Sequence, residues 1–208
     1  VASPIAVSLT RVLLPLQSTF GVKSAVCTLV RAGAEPLRGH QGPVNTLVPE
    51  PTASLQRLTW ETNQIIGRTG KGVRVLFSSV RVPSILLDVQ SAFIELARNT
   101  TVGDVTKLMA KTPRVCVVSS EGGIPSTDAL FEFVRRVRRS SGDLYETCVW
   151  KEQTEVQGRM LKLTLAVDPH SAHIPEVIDA VRAMTTRVSR VKSERITDEA
   201  LCILQTPF

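Results

Sequence analysis

The stretch "GVRVLFSSVRVPSILLDVQSAFIELA", residues 72–97, decides the fold. β-Branched and aromatic residues dominate it and Pro83 divides it, so it reads as two strands with a break between them. In the second strand, Ile85, Leu87, Val89, Ser91 and Phe93 share one face, and Leu86, Asp88, Gln90, Ala92 and Ile94 share the other. Further strand signals lie on both sides, in "VKSAVCTLVR" (22–31), "RVCVVSS" (114–120), "DLYETCVWKEQ" (143–153) and "GRMLKLTLAVD" (158–168).

Helical spacing separates these strands. Val7, Leu9, Val12, Leu13, Leu16 and Phe20 predict a helix that Pro15 kinks and Gly21 ends. Thr101 to Asp104 resembles a capping box ahead of "VTKLMAKT", and Ser126-Thr127-Asp128 opens a helix with Leu130, Phe131, Val134 and Val137 inward. "IPEVIDAVRAM" (174–184) is a closing helix with Pro175 in its first turn. Strands outnumber helices and come in adjacent pairs, so the fold class is α+β, a largely antiparallel sheet with helices on one face. Residues 1–186 read as one module, with a Gly- and Pro-dense loop at 32–51, and residues 187–208 as a basic C-terminal extension.

A chain of 208 residues can bury a sizeable core, and its 43% hydrophobic and 21% charged residues are ordinary for a globular protein. No apolar run approaches the ~20 residues of a membrane span. The four cysteines, Cys27, Cys116, Cys148 and Cys202, form no CxxC and no cluster with histidine, which predicts free thiols. Neither GxGxxG nor GxxxxGK[ST] occurs, so no nucleotide cofactor is expected to bind to motifs of this chain. The net charge of +6 allows an acidic partner. Two regions concentrate that charge: Arg135, Arg136, Arg138 and Arg139, read as pointing outward, and Arg187, Arg190 and Lys192 beyond Met184. Both suit phosphate contacts with structured RNA or another acidic partner.

Five stretches together resemble the catalytic domain of the archaeal-type (type II) glyceraldehyde-3-phosphate dehydrogenases: "GPVNTLVPEP" (42–51), "VPSILLDVQSAFIEL" (82–96), "TPRVCVVSSEGGIPST" (112–127), "DLYETCVWKE" (143–152) and "IPEVIDAVRAM" (174–184). The resemblance implies that fold, an S-loop at 32–48 reaching a neighbouring subunit, and an outer sheet face that meets other subunits. It also implies an N-terminal Rossmann domain, expected to be absent here or carried on another chain. The family attacks its aldehyde with a cysteine thiolate in a Ser-Cys-Asn-Thr run. Aligned through "LTRVLLPLQSTFGVK", that run falls on Ser3-Pro4-Ile5-Ala6, which puts Pro4 at the thiol position. The resemblance places an activating histidine near Arg57 and Leu58, a second after "LTLAV", where this chain has Asp168-Pro169-His170, and a pair of arginines at Arg31 and Ala32.

The resulting expectation is a chain without enzyme activity, a structural subunit of a larger assembly such as an organellar ribosome or other ribonucleoprotein. A mitochondrial address is expected from the non-Met start and the basic balance. The alternatives are the catalytic half of a split NAD(P)-dependent aldehyde dehydrogenase, a subunit of a respiratory complex, or a sensor of small molecules. Arg31 reads either as a vestigial anion site or as an ion pair with Glu35 or Asp88. Cys27 with His40, and a metal at His170, His173 and Asp168, are the other sites to check; no metal is expected.

Overall fold

Secondary structure in the computed structural model follows the hydrophobic periodicity closely where that periodicity is strong. Residues 2–33, 43–68, 72–137, 139 and 141–204 are described. The elements in order are α1 (Pro4–Thr19), β1 (Val22–Ala32), β2 (Val48–Pro49), α2 (Thr52–Gly67), β3 (Arg74–Val82), β4 (Asp88–Leu96), α3 (Val102–Ala110), β5 (Val115–Val118), α4 (Thr127–Arg136), β6 (Thr147–Trp150), β7 (Glu155–Gln157), β8 (Met160–Val167), α5 (Ile174–Thr185) and α6 (Arg190–Ala200). The strands form one sheet in the order β2-β3-β1-β4-β8-β6-β5, with β7 on β8. The β1–β3 and β5–β6 pairs are parallel and each is bridged by a helix; the other pairs are antiparallel.

Alternation decides which face is covered. Ala25, Cys27 and Leu29 of β1, Gln90, Ala92 and Ile94 of β4, and Leu161, Leu163 and Leu165 of β8 all point to one side, where α1 packs. α1 carries Ile5, Ala6, Leu9, Val12, Leu13 and Leu16 into this core, and each large apolar side chain so buried contributes about 1.5–3 kcal/mol. Its middle is buried on every side, Ser8, Thr10 and Arg11 included. Pro15 lies inside α1, which runs on to Thr19, so the helix does not break there. Gly21, at φ +72°, supplies the left-handed residue after its cap.

At the β5–β6 end the sheet is covered on both faces. Val115, Val117 and Val149 join the α1 core, while Cys116, Val118, Cys148 and Trp150 pack with Leu130 and Val134 of α4 and with Leu144. This is why all four residues of β5 and of β6 are buried. At the other end the outer face stays open, with Leu76, Val26 and Phe93 side by side across β3, β1 and β4 and about half exposed.

The structure adds α2, which the sequence pattern left unassigned, and β2 inside the 32–51 loop. β6 is shorter than the 143–153 run that predicted it. Among the described residues beyond 186, α6 packs on α5, whose Arg182 binds Ser193 and Thr197 at 2.7 Å, and Arg114, just before β5, binds Asp198 at 2.8 Å.

Candidate active site

The start of α1 is the place where the family resemblance puts the nucleophile. Ser3 is its N-cap, with Oγ accepting from the Ala6 N–H at 3.3 Å, and Pro4 is the first helical residue. Proline suits that position because its missing N–H would be unpaired there anyway, and it carries no reactive atom. The Ser3 N–H donates to Glu61 Oε2 of α2 at 2.9 Å, and Arg57 Nε holds Oε1 at 2.8 Å. Burial works against the charge on Glu61, yet the Ser3 N–H and Arg57 outweigh it and keep the carboxyl below its usual range. A carboxylate therefore occupies the positive end of α1. The histidine expected near Arg57 and Leu58 has no counterpart, since Leu58 points into the core and Arg57 is exposed. Behind the first turn, Gln90 of β4 donates from Nε2 to the Ile5 carbonyl at 3.3 Å, while its Oε1 is buried without a hydrogen-bond partner.

One layer further out, the ends of β1, β3, β4 and β8 enclose a cleft of about 390 Å³. Arg31, Arg81, Asp88 and His170 line it on the polar side, with Ile85, Leu87 and Phe131 on the apolar side. Arg31 Nη1 lies 3.2 Å from Glu50 and its Nε 3.6 Å from Asp88 Oδ2, which realises the ion pair with Asp88 that was one of the two sequence readings. Arg81 Nε reaches the other Glu50 oxygen at 2.9 Å, and Ser79 donates to the same carboxylate. Burial disfavours the charge on Glu50, but Ser79 and the two guanidinium groups overcome it and hold its carboxyl low. Asp88 goes the other way. Its burial pushes the carboxyl up against the pull of the Ala32 N–H, bound to Oδ1 at 2.8 Å, and of Arg31 and His170. Asp143 and Asp168 also line the cleft, so three carboxylates stand on its wall with two guanidinium groups, both of which Glu50 binds. A phosphate entering here would compete with Glu50 and Asp88 for Arg31.

The remaining sequence candidates resolve by position. Cys27 is buried in mid-strand, and desolvation pushes its thiol up to about 12. His40, Glu35, Arg138 and most of the 32–48 segment lie outside the described residues. Cys116 and Cys148 are free thiols facing each other across β5 and β6, and a hydrogen bond to Cys116 together with burial pushes the Cys148 thiol well up. Asp168 accepts from the N–H groups of Leu144, His170 and Ser171, so it closes a turn. No group of three metal-ligating side chains occurs among the described residues. His170 is exposed in the turn after β8, as the sequence suggested, and it also lines the cleft beside Asp88.

The arginine run is corrected by packing. Arg139 does not point outward: it is buried, bound through two 2.7 Å contacts to Glu146 and through Nη2 to the Cys202 carbonyl. Arg135 is exposed but paired with Glu132 and 6.0 Å over the Phe131 ring, and Arg136 is exposed. Arg190 pairs with Glu194, while Arg187 and Lys192 are exposed. Neighbouring carboxylates thus neutralise much of the charge that suggested a nucleic-acid surface.

The chain is 31% identical over 198 residues to a glyceraldehyde-3-phosphate dehydrogenase of Methanothermus fervidus, covering 95% of this chain and 57% of the relative. It is 34% identical to the enzymes of that name from Haloarcula marismortui and Thermococcus kodakarensis, over 93% and 95% of its length. This chain is homologous to the catalytic domain of the archaeal-type glyceraldehyde-3-phosphate dehydrogenases. It spans a little over half the length of these relatives. No protein-family model matches it. Solved structures with the same fold include aspartate semialdehyde dehydrogenase II from Vibrio cholerae (TM-score 0.60, 14% identity, 97% of this chain and 61% of that one). A probable aspartate-semialdehyde dehydrogenase from Pseudomonas aeruginosa gives 0.63 at 15% identity, with the same coverage. These likenesses overturn the reading as a structural subunit of an organellar ribosome or other ribonucleoprotein. The relatives are dehydrogenases.

Proposed function

We propose that this chain is the substrate-side domain of a glyceraldehyde-3-phosphate dehydrogenase-type protein, and that it binds a small carbonyl or hydroxyl compound without forming a covalent intermediate. The observation that carries this is Pro4 at the first position of α1, with Glu61 on the Ser3 N–H where a thiolate would gain from the helix end. The family's reaction begins with a thiol adding to an aldehyde carbon, and no thiol stands at the start of α1. Cys27 is in the core with its proton held tightly, Cys116 and Cys148 are buried at the β5–β6 end, and the exposed Cys202 follows α6. The residues also do not fit a nicotinamide cofactor on their own, since no glycine-rich phosphate turn follows a strand and no nucleophile would present a hydride donor to the ring.

The test is intact-protein mass spectrometry after incubation with glyceraldehyde 3-phosphate and NAD, with and without arsenate in place of phosphate. No acyl adduct and no NADH are expected. An adduct on any residue would overturn the proposal. The open row of Leu76, Val26 and Phe93 supports contact with another protein subunit through the sheet face. Phe93→Asp should then lower the mass of the native particle in light scattering.

A further inference from the structure

Polar contacts hold α6 down. Its buried side chains are Ser193, Thr197 and Asp198, while Val191 and Ile196 face solvent at 77% and 36% exposure. α1 is the opposite case, with Leu9, Leu13 and Leu16 wholly covered. The hub under α6 is Asp179 of α5. Its Oδ1 accepts from Ser193 Oγ at 2.6 Å and Thr197 Oγ1 at 2.7 Å, and its Oδ2 from Arg114 Nη2 at 2.5 Å. Arg182 donates to the Ser193 carbonyl at 2.9 Å, and Arg114 also binds Asp198.

The chain just beyond α6 is fastened in the same manner. The Cys202 carbonyl accepts from Arg139 at 2.5 Å, and the Leu204 N–H donates to Glu146 at 2.5 Å. The Leu204 carbonyl accepts from the Cys116 thiol at 3.2 Å. Ile203 is buried and Leu204 partly so, which leaves this stretch short of apolar anchors. A hydrogen bond that water can replace adds less net stability than a large apolar side chain taken out of water. An element fastened this way therefore opens at a lower free energy than a body built around an apolar core.

We propose that residues 190–204 form a strap that lifts as one unit while α1 and the central strands stay folded, and that its lifting opens the β5–β6 end to solvent. The strap ends on the Cys116 thiol, so its position sets access to that group. Closed, it covers the thiol; lifted, a local unfolding, it leaves the thiol open to small electrophiles. Cys27 lies in the core with α1 and is reached only when that core opens.

The experiment is native-state hydrogen exchange of the intact chain, read amide by amide, beside alkylation of Cys116 and Cys27 by excess iodoacetamide, read by peptide mass. The Leu201 and Ile203 amides, bonded to the Thr197 and Asp198 carbonyls, should exchange about a hundredfold or more faster than those of β4 and β8, relative to intrinsic rates. Cys116 should share the protection of those two amides, and Cys27 that of β4 and β8. Arg182→Met keeps the stem and removes the donors. It should raise strap exchange and Cys116 alkylation together by about tenfold, leaving β4, β8 and Cys27 unchanged. Thr197→Val removes one hydroxyl, and an increase of about threefold confined to the strap and Cys116 supports the proposal should the Met variant fail to fold. One protection common to strap and core would overturn it. So would Cys116 alkylation that follows Cys27, or variants that loosen strap and core alike or neither.

Discussion

Replacing Arg139 by alanine should be among the most damaging single changes in this chain, although a run of arginines invites the opposite view. Its guanidinium makes two 2.7 Å contacts with Glu146, and the two side chains are 5% and 0% exposed. It also donates to the Asp143 carbonyl at 3.2 Å and to the Cys202 carbonyl at 2.5 Å, and lies 4.9 Å from the Tyr145 ring centre. Alanine removes all of these and leaves Glu146 buried with, among the described residues, the Leu204 N–H to answer its charge. Removing one partner of a buried pair costs about 3–5 kcal/mol. For a chain of this size that lowers the melting temperature by roughly 10 °C. Arg135→Ala is the matched control, because its pair with Glu132 is half exposed and worth about 0.3–0.5 kcal/mol. Urea unfolding of both variants, with a common m-value, separates the two cases. The double change Arg139→Met with Glu146→Leu should recover most of the loss, since no charge is then stranded. A midpoint for Arg139→Ala no lower than that for Arg135→Ala would refute the reasoning and return Arg139 to the surface.

Acid sensitivity should centre in part on Glu50. Its folded carboxyl titrates below the usual 4.5, so its contribution is fully present above that pH and is lost as pH falls through the folded value. Glu50→Gln should be less stable than the parent at neutral pH, with the gap closing in acid; a constant gap in denaturation midpoints would contradict this. Gly21→Ala should cost more than about 1 kcal/mol in urea unfolding, because the backbone is left-handed there. A Cβ would also meet that of Ala97 at 2.9 Å. Thiol titration of the native chain should show one fast group, Cys202, and three that react only on unfolding. A fast Cys27 would reopen the search for a nucleophile.

Much of the fold was legible because burial on one side of an element imposes a period that survives in the sequence. The residues that β4 turns inward, from Asp88 to Ile94, are those that alternation alone had grouped, and the apolar spacing of residues 7–20 marked α1. α2 was hidden because its inward face mixes Leu55, Leu58 and Ile66 with Glu61 and Thr62, which dilutes the helical signal, and because no side chain caps its start. Pro4 at the helix start was readable too, for a proline suits the first helical position by its local chemistry.

Pairing across the chain is a different matter. Arg139 was misread as solvated because its partner, Glu146, and the carbonyl of Cys202 are brought to it only when β6 and the chain after α6 pack. Arg31 and Asp88 meet because β1 and β4 run antiparallel as neighbours, which brings Ala32 and Asp88 within hydrogen-bond reach. The sequence alone thus determined most of the strands, the strongly periodic helices and the proline that opens α1, since each follows from local spacing and residue type. Which charges are buried, which cancel, and which distant groups pair were decided by the tertiary structure, because Coulomb and hydrogen-bond energies depend on distances that only the packed chain sets.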